Sequence, residues 1–307
     1  MTKAVIIILI ISDLILPKSL ALKIEDHFIK NNPENGQKIA VTLTNQVKGK
    51  PISIHKTPSK VNEQSIYSGS SEIIYAIDLN TNFVLTDKNG QQKFPMASLT
   101  KLMTAHIAFN ELDLNKIVTV PNYNLNSKDS RMGLIPGEKM SVRDLLYGLL
   151  VQSAGDAALT LAKEISGNDT EFAKLMNAKA KEIDLTDTNF TNSIGIDDFN
   201  HHSTAKDLAG LTRTLILKTD FRNMVSSKSY IAKSESGLTH ALENTNKLLD
   251  NKLVFGVKTG KTDAAGECLI SLAKVGDHEI LTVVMGSANR FTETQNLINW
   301  IKVNYKW

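Results

Sequence analysis

The order in which hydrophobic patterns follow one another is the feature that most constrains the fold of this chain. Residues 71–89 contain two β-rich runs around a turn-forming Asn-Thr-Asn sequence, which predicts a β-hairpin. Helical periodicity then dominates from Ser98 to about residue 217, and three β-rich runs within 252–288 precede a closing helix over 292–305. Strands on both sides of a helical region predict an α+β fold. In that fold both ends of the chain build one antiparallel sheet, and helices are inserted between them.

The helical region itself divides into several segments. The expected helices cover residues 98–112, 141–152, 156–166, 170–185 and 203–217. Ser141 and Ser203 are the expected N-caps of two of them, and Gly167 or Asn168 is expected to separate the third from the fourth.

Composition excludes several classes of function. The 307 residues are 42% hydrophobic and carry a net charge of only +3, which gives no indication of nucleic-acid binding. Cys268 is the only cysteine, so neither an intrachain disulfide nor a thiolate metal site can form. It lies in an apolar run, where a small buried residue is expected.

The N-terminus has the layout of a secretory signal peptide. Lys3 precedes an apolar run over residues 4–16, and Ser19-Leu20-Ala21 supplies small residues for cleavage after Ala21. Asp13 interrupts the run, which is shorter than the ~20 residues that a membrane-spanning helix needs. We therefore expect a signal peptide over 1–21 and export from the cytoplasm, with an uncleaved membrane anchor as the alternative. The polar stretch 22–70 is expected to be an arm or linker.

A serine and a lysine stand three residues apart in "FPMASLTKLMTA", at Ser98 and Lys101. On a helix these positions share one face, so the amine can reach the hydroxyl and act as its base. Lysine can do so only if burial or a nearby cation lowers its pKa well below ~10.4. The same spacing occurs at three other places in the chain, and a helix start is the ordinary interpretation of it.

A second short motif, Lys258-Thr259-Gly260, occurs once and lies at the end of a predicted strand. There the lysine would add a cation, and the glycine would let an extended peptide approach the strand edge. Taken alone, this tripeptide is ordinarily interpreted as a turn.

Four stretches of the chain together resemble the D-alanyl-D-alanine carboxypeptidases, which are low-molecular-mass penicillin-binding proteins of the serine-lysine type. They are "FPMASLTKLMTA", "RMGLIPGEKMSVRDLLYGLLVQSAGDAALTLA", "NFTNSIGIDDFNHHSTAKDLA" and "GVKTGKTDAAGECLISLA". The family's motifs appear in its order, Ser-x-x-Lys, then the region of Ser-x-Asn, then Lys-Thr-Gly. The resemblance implies a β-lactamase/transpeptidase-like fold and a catalytic domain over 71–303. Because the chain stops at Trp307, we expect no C-terminal β domain.

The resemblance also implies roles for individual residues. Ser98 would attack the bond between two terminal D-alanines of a peptidoglycan stem peptide, with Lys101 as base and Ser153 as proton relay. Lys258 and Thr259 would bind the terminal carboxylate beside Gly260, and the backbone N–H groups of Ser98 and Lys261 would form the oxyanion hole. It further implies β-lactams as covalent inhibitors of Ser98, an extracytoplasmic location, and neither cofactor nor metal.

One position departs from the family pattern. Where Ser-x-Asn is expected, the chain has Ser153-Ala154-Gly155, followed by Asp156. The amide that would hold the substrate carbonyl is missing, at a cost of about 1–3 kcal/mol unless Asp156 or water replaces it. The only literal Ser-x-Asn, at Ser287-Ala288-Asn289, follows Lys-Thr-Gly and is interpreted as a coincidence.

Other functions remain open from the sequence. They are a catalytically impaired penicillin-binding module for wall binding, a D,D-endopeptidase, and a class A β-lactamase. The last needs a glutamate after the second motif, whereas the candidate Glu111 lies before it.

Several further polar residues attract attention, and a structural role is expected for each. Asp197, Asp198, His201 and His202 resemble a zinc cluster but fit a solvated loop equally well. His106 and His240 have no partner in the sequence. Arg290, in the loop before the last helix, could add charge for the substrate carboxylate, but a surface arginine is the expected interpretation.

Overall fold

The computed structural model describes residues 39–40, 55–127 and 129–307. The expected signal peptide and most of the expected arm lie outside these described residues. Within them, none of the helices is both long enough and apolar enough to cross a membrane.

The strands are numbered in chain order. They are β1 (Ile39–Ala40), β2 (His55–Lys56), β3 (Ser59–Lys60), β4 (Ile73–Asp78), β5 (Phe83–Lys88), β6 (Ile117–Thr119), β7 (Lys139–Ser141), β8 (Ser229–Lys233), β9 (Thr239–Glu243), β10 (Val254–Thr262), β11 (Gly266–Val275), β12 (His278–Ser287) and β13 (Tyr305–Lys306).

Seven α-helices accompany the strands. They are α1 (Lys101–Glu111), α2 (Val142–Val151), α3 (Gly155–Ser166), α4 (Asp169–Glu182), α5 (Ala205–Ile216), α6 (Thr219–Ser226) and α7 (Arg290–Asn304). Two 3₁₀ turns cover Ala97–Thr100 and Lys247–Asp250.

The main sheet has five antiparallel strands in the order β10-β11-β12-β4-β5. The hairpin β4–β5 therefore joins the C-terminal strands by pairing β4 with β12, and helices α1 to α6 lie between them in the sequence. This arrangement confirms the predicted α+β fold. Strand β10 is at the edge of the sheet, so one side of its backbone is not paired with another strand of that sheet.

The two faces of the sheet belong to two hydrophobic cores. On one face, Ile74 and Val284 belong to the same cluster as Leu297 and Ile301 of α7. On the other face, Ile73 and Val283 belong to the larger cluster that contains the buried residues of α1 to α6. Successive residues of a strand point to opposite faces, which explains why β4 is buried along its whole length.

Two details of the helical region differ from the sequence expectation. Thr204, not Ser203, caps α5, because its side chain accepts a hydrogen bond from Asp207 N. The Ser203 hydroxyl instead lies 2.8 Å from that of Thr188. Helix α6 and the hairpin β8–β9 were not predicted from the sequence.

The end of the segment expected to be an arm belongs to the folded unit. Strand β3 pairs with β13 at the end of the chain, in the register Lys60 to Tyr305. The Tyr67 hydroxyl donates to the Glu293 carboxylate at 2.5 Å. Contacts with residues more than 200 positions away hold this segment in place. Its own sequence therefore shows only weak apolar patterning.

Candidate active site

Ser98 lies in the 3₁₀ turn that leads into α1, and Lys101 is the first residue of that helix. Lys101 Nζ donates a hydrogen bond to Ser98 Oγ at 2.9 Å and another to the backbone carbonyl of Ile194 at 2.6 Å. The predicted serine–lysine contact is therefore present.

The environment of Lys101 lowers the pKa of its amine. The side chain lies in the core with only 3% of the residue exposed. Burial lowers the pKa of Lys101 to about 7, although Asp129 and Asp156 act in the opposite direction. A substantial fraction of the amine is then neutral near pH 7 and can accept a proton from Ser98.

Ser153 and Lys258 form a second hydroxyl–amine pair. Ser153 follows α2 in a left-handed backbone conformation with φ of 62°, which turns the chain between α2 and α3. Its Oγ accepts a hydrogen bond from Lys258 Nζ at 2.8 Å, and both residues are buried. Burial first, and then the charges of Lys101 and Arg290, hold the pKa of Lys258 well below its usual value.

The Lys-Thr-Gly motif lies on the edge strand β10 and approaches Ser98 closely. A Cβ at Gly260 would lie 3.1 Å from the backbone nitrogen of Ser98, so glycine allows this approach. The hydroxyls of Thr259 and Thr245 are 2.5 Å apart. The side chain of Lys261 points away to an ion pair with Glu267 at 3.2 Å.

Arg290 is a site residue, and the expectation of a surface arginine is wrong. Its Nη1 donates to the Gly260 carbonyl at 2.8 Å, the side chain is half-buried, and burial lowers its pKa. Its Nε is buried and has no hydrogen-bond partner among the described residues. The sequence suggests Arg290 as an added charge for the substrate carboxylate, but no local pattern predicts its contact with Gly260, which joins the start of α7 to a strand 30 residues earlier.

A second glycine-dependent contact involves the turn that carries Ser98. Gly195 has φ of +87°, and a Cβ there would lie 2.0 Å from the Ala97 carbonyl oxygen. Only glycine permits this approach. Ile194, the carbonyl partner of Lys101, is thereby held against the turn that carries Ser98.

Gly155 is the first residue of α3, and a neighbouring loop occupies the space beside it. Gly155 N donates to the Ser130 carbonyl at 2.7 Å. A Cβ at this position would lie 3.2 Å from both Leu125 Cδ2 and that carbonyl oxygen. We call residues 123–127 and 129–134 the site loop; it packs where an asparagine side chain at 155 would begin.

Asp156 does not replace the missing amide, contrary to one possibility raised by the sequence. Its fully buried carboxylate accepts hydrogen bonds from the backbone nitrogens of Met132, Gly133 and Leu134 at 2.9–3.1 Å. The carboxylate therefore anchors the site loop and is not free to contact a substrate.

The remaining candidates have structural partners. The described residues contain no group of three or more His, Cys, Asp or Glu arranged to hold a metal ion. His201 lies 2.7 Å from Thr100 Oγ1, and burial lowers its pKa to about 4. His240 contacts Glu138 at 2.7 Å, and burial raises the pKa of Cys268 to about 11.

Two sequence features that resemble catalytic motifs have structural roles. Asn289 of the literal Ser-x-Asn caps α7 by accepting from Thr292 N. Glu111, considered as a β-lactamase glutamate, ends α1 and forms an ion pair with Lys179 at 3.8 Å.

Solved structures share this fold. A Streptomyces DD-transpeptidase is 28% identical, with a TM-score of 0.72 over 77% of this chain and 98% of that chain. Penicillin binding protein 6B from Escherichia coli is 34% identical, with a TM-score of 0.71 over 80% of this chain and 81% of that one. The fold and the serine–lysine pair thus define the class as the penicillin-recognising serine hydrolases.

The family follows from the sequence comparison. The model of the D-alanyl-D-alanine carboxypeptidases, peptidase S11, matches residues 58–289, and the chain belongs to this family. Among curated relatives, the D-alanyl-D-alanine carboxypeptidase DacF of Bacillus subtilis is 32% identical over 244 residues, or 78% of this chain. That match covers 62% of the relative's length.

Proposed function

We propose that this protein removes the C-terminal D-alanine from peptidoglycan stem pentapeptides through an acyl-enzyme on Ser98. The observation that carries this proposal is the 2.9 Å contact between Ser98 Oγ and Lys101 Nζ, whose pKa is about 7. A serine hydroxyl becomes a useful nucleophile when such a base is within hydrogen-bond distance.

Acylation begins when neutral Lys101 takes the proton of Ser98 Oγ. The oxygen then attacks the carbonyl carbon of the penultimate D-alanine. The backbone N–H groups of Ser98 and Lys261 stabilise the resulting oxyanion, in agreement with the close approach of Gly260 to Ser98 N.

The leaving amine receives its proton from Ser153. Lys101 passes the proton that left Ser98 to Ser153. The proton that Ser153 gave to the leaving D-alanine is thereby replaced. Neutral Lys101 then deprotonates a water molecule, hydroxide attacks the ester, and the proton returns to Ser98 Oγ. The Lys258–Ser153 hydrogen bond at 2.8 Å holds the relay hydroxyl in position.

Three groups bind the terminal carboxylate in this proposal, namely Lys258, Thr259 and Arg290. Burial removes Lys258 and Arg290 from water and lowers the pKa of each when no anion is bound. A bound carboxylate would stabilise both cations. The substrate itself lies along the edge of β10, as an added strand.

Partners and location follow from the same proposal. β-Lactams would acylate Ser98 because they resemble the D-Ala-D-Ala terminus. The substrate is outside the cytoplasm, which agrees with the signal-peptide pattern of residues 1–21. An uncleaved N-terminus would attach the protein to the membrane.

The test is D-alanine release from a pentapeptide by the full chain and by Ser98→Ala, together with labelling by a fluorescent penicillin. We expect release and labelling by the wild type and neither by Ser98→Ala. Full activity in Ser98→Ala would contradict the mechanism.

A binding role without turnover is the second candidate, and Gly155 favours it because no side-chain amide is present there. Labelling of Ser98 without any release of D-alanine would support that role over the enzyme.

A further inference from the structure

A buried histidine and a buried glutamate lie beside the site loop. His240 is on strand β9, and Glu138 directly precedes strand β7. Their side chains are only 6% and 4% exposed, and His240 Nε2 lies 2.7 Å from Glu138 Oε1. The other ring nitrogen, Nδ1, lies 3.1 Å from the backbone carbonyl oxygen of Met132 in the site loop. The imidazole therefore bridges a carboxylate and the site loop.

The two partners of the ring determine which protons it carries. A backbone carbonyl oxygen only accepts hydrogen bonds, and so does an ionised carboxylate. Both nitrogens of His240 must then donate, which requires the doubly protonated, positively charged imidazolium. Among the described residues, no hydrogen-bond donor contacts either nitrogen. The two contacts are thus complementary to a charged ring.

The carboxylate of Glu138 is fixed to the end of the site loop as well. Its second oxygen accepts a hydrogen bond from Ile135 N at 3.0 Å, and its backbone carbonyl accepts one from Val120 N at 2.8 Å. A buried carboxylate needs a compensating charge. His240 is the group that provides it.

The other titratable groups around this pair have partners of their own. The Asp156 carboxylate is bound to the backbone nitrogens of residues 132–134, and the Tyr123 hydroxyl donates to a carbonyl of the site loop. Lys139 forms an exposed ion pair with Glu235 at 3.7 Å. Among the described residues, His240 is therefore the only cationic partner of the Glu138 carboxylate.

The site loop is held at Met132 by two separate groups. The nitrogen of this residue donates to the Asp156 carboxylate at 3.0 Å, and its carbonyl oxygen faces His240. The Met132 side chain is buried against α2, where its sulfur would lie 2.3 Å from a Cβ at Gly148. Met132 is thus the residue at which the site loop is fixed to α2, α3 and β9.

The site loop in turn reaches two of the proposed catalytic groups. The Ser130 carbonyl accepts a hydrogen bond from Gly155 N at 2.7 Å, two residues after Ser153. The charge of Asp129 raises the pKa of Lys101. A displacement of the site loop would therefore alter both the proposed proton relay and the proposed base.

We propose that His240, as an imidazolium paired with Glu138, is a positioning residue that fixes the site loop beside Ser153 and Lys101. The ring does not touch the substrate and acts through the Met132 carbonyl. This proposal rests on the proposed function, because the groups that it positions are those assigned to acyl transfer at Ser98.

Two variants separate the second proton of the ring from its contact with the site loop. In Glu138→Gln, the amide oxygen can accept from Ile135 N, and the amide nitrogen can donate to Nε2 of a neutral His240. The ring then keeps its hydrogen bond to Met132. The double variant Glu138→Gln/His240→Leu removes that hydrogen bond and leaves no buried charge without a partner.

The matched control is His278→Leu, which removes a histidine that is buried to a similar extent and lies 2.8 Å from Asp78. His278 is opposite Val275 in the sheet, five positions along β11 from the partner of Lys258. Asp78 keeps its hydrogen bond from Trp307 Nε1 in this variant. The control therefore removes a comparable ring far along the sheet from the site.

Nitrogen-15 NMR of the full chain with labelled histidines measures ring protonation at pH 7. We expect both nitrogens of His240 to be protonated in the wild type, and Nε2 to lose its proton in Glu138→Gln. His201 is the internal reference for a neutral ring, because its Nδ1 accepts a hydrogen bond from Thr191 N at 3.0 Å and burial lowers its pKa to about 4. One unprotonated nitrogen in wild-type His240 would overturn the proposal.

Hydrogen exchange of the backbone amides at 132–134 and acylation by a fluorescent penicillin measure the effects on the loop and on the reaction. We expect these amides to exchange about tenfold faster in the double variant than in Glu138→Gln, the effect of one lost hydrogen bond. The acylation rate constant should fall by about tenfold or more, because small displacements of catalytic groups are costly. Glu138→Gln and His278→Leu should remain close to the wild type in both measurements.

Two further results would overturn the proposal. Equal exchange in Glu138→Gln and in the double variant would show that the ring does not hold the site loop. Faster exchange with an unchanged acylation rate would show that the position of the loop does not affect the reaction. Failure of the proposed function is recognised separately, as a wild type that penicillin does not label.

Discussion

At the scale of single residues, the lysine beside Ser98 sets the pH range in which the site can act. Burial lowers the pKa of Lys101 to about 7, so the amine is protonated below this pH and cannot accept the Ser98 proton. We expect the rate constant for penicillin acylation to fall about tenfold for each pH unit below 7 and to level off above it. Stopped-flow labelling between pH 5 and 9 measures this profile.

The control for that profile is Asp129→Asn. Because Asp129 raises the pKa of Lys101, its neutralisation should move the acidic limb to lower pH. A rate constant that does not change between pH 5 and 9 in the wild type would show that Lys101 is not the base.

Arg290 gives the second prediction at this scale. Its side chain reaches the Gly260 carbonyl beside the proposed carboxylate site. Charge-assisted hydrogen bonds contribute about 1.5–3 kcal/mol, so Arg290→Leu should lower kcat/KM for a D-Ala-D-Ala peptide by about tenfold to a hundredfold. Steady-state D-alanine release measures the change.

Arg143→Leu is the matched control, because Arg143 forms an ion pair with Asp220 at 2.8 Å at the surface. It should leave kcat/KM within about twofold of the wild type, since exposed pairs contribute little. Equal losses in the two variants would show a general effect of removing an arginine.

At the scale of elements, the contact between the site loop and the start of α3 depends on the absence of a side chain at Gly155. A Cβ at Gly155 would lie 3.2 Å from the Ser130 carbonyl and from Leu125. We therefore expect Gly155→Asn to displace the loop and cost about 1–3 kcal/mol of stability, the usual range for overpacking. It should lower the acylation rate, although it restores the family motif.

Chemical unfolding and penicillin labelling of Gly155→Asn measure these effects, with Gly210→Ala as the control. Gly210 lies within α5, and a Cβ there meets only Leu185 at 3.5 Å, an ordinary contact. Its substitution should be neutral or stabilising by up to about 1 kcal/mol. Faster acylation by Gly155→Asn with unchanged stability would contradict the role given to the site loop.

At the scale of the whole molecule, local patterns predict the elements but not the contacts between them. The hairpin β4–β5, the three strands β10 to β12 and the Ser141 cap follow from periodicity and capping residues, which act over a few positions. The pair Ser98–Lys101 is equally local, since both residues share one turn.

Contacts between distant segments account for what the sequence did not predict. Arg290 joins the site from the start of α7, and Leu125 and Ser130 reach Gly155 from a loop 25–30 residues earlier. Neither contact produces a periodic pattern in the amino-acid sequence. The shift of the α5 cap from Ser203 to Thr204 has the same origin, because Thr188 engages the Ser203 hydroxyl.

Another of these long connections is formed by the Glu293 carboxylate of α7, which joins the two ends of the folded unit. It accepts hydrogen bonds from Tyr67, Ser70 and Ser71 at 2.5–3.2 Å, and only 6% of the residue is exposed. Glu293→Ala would leave several of these donors without a partner, so we expect a loss of about 2 kcal/mol or more in the free energy of unfolding. Urea unfolding of the full chain at pH 7 measures it.

The matched control is Glu182→Ala, which removes a glutamate that is largely exposed and paired with Lys179 at 3.0 Å. It should change the free energy of unfolding by no more than about 0.5 kcal/mol.

Burial raises the pKa of Glu293, but its hydrogen bonds from Tyr67 and Ser70 outweigh this and leave the pKa below the usual value. Its contribution should therefore be complete above about pH 4.5 and decrease as the pH falls further, which narrows the difference between wild type and Glu293→Ala in acid. A difference that grows in acid, or one as small as that of Glu182→Ala at pH 7, would contradict the role of this carboxylate in joining the N-terminal segment to α7.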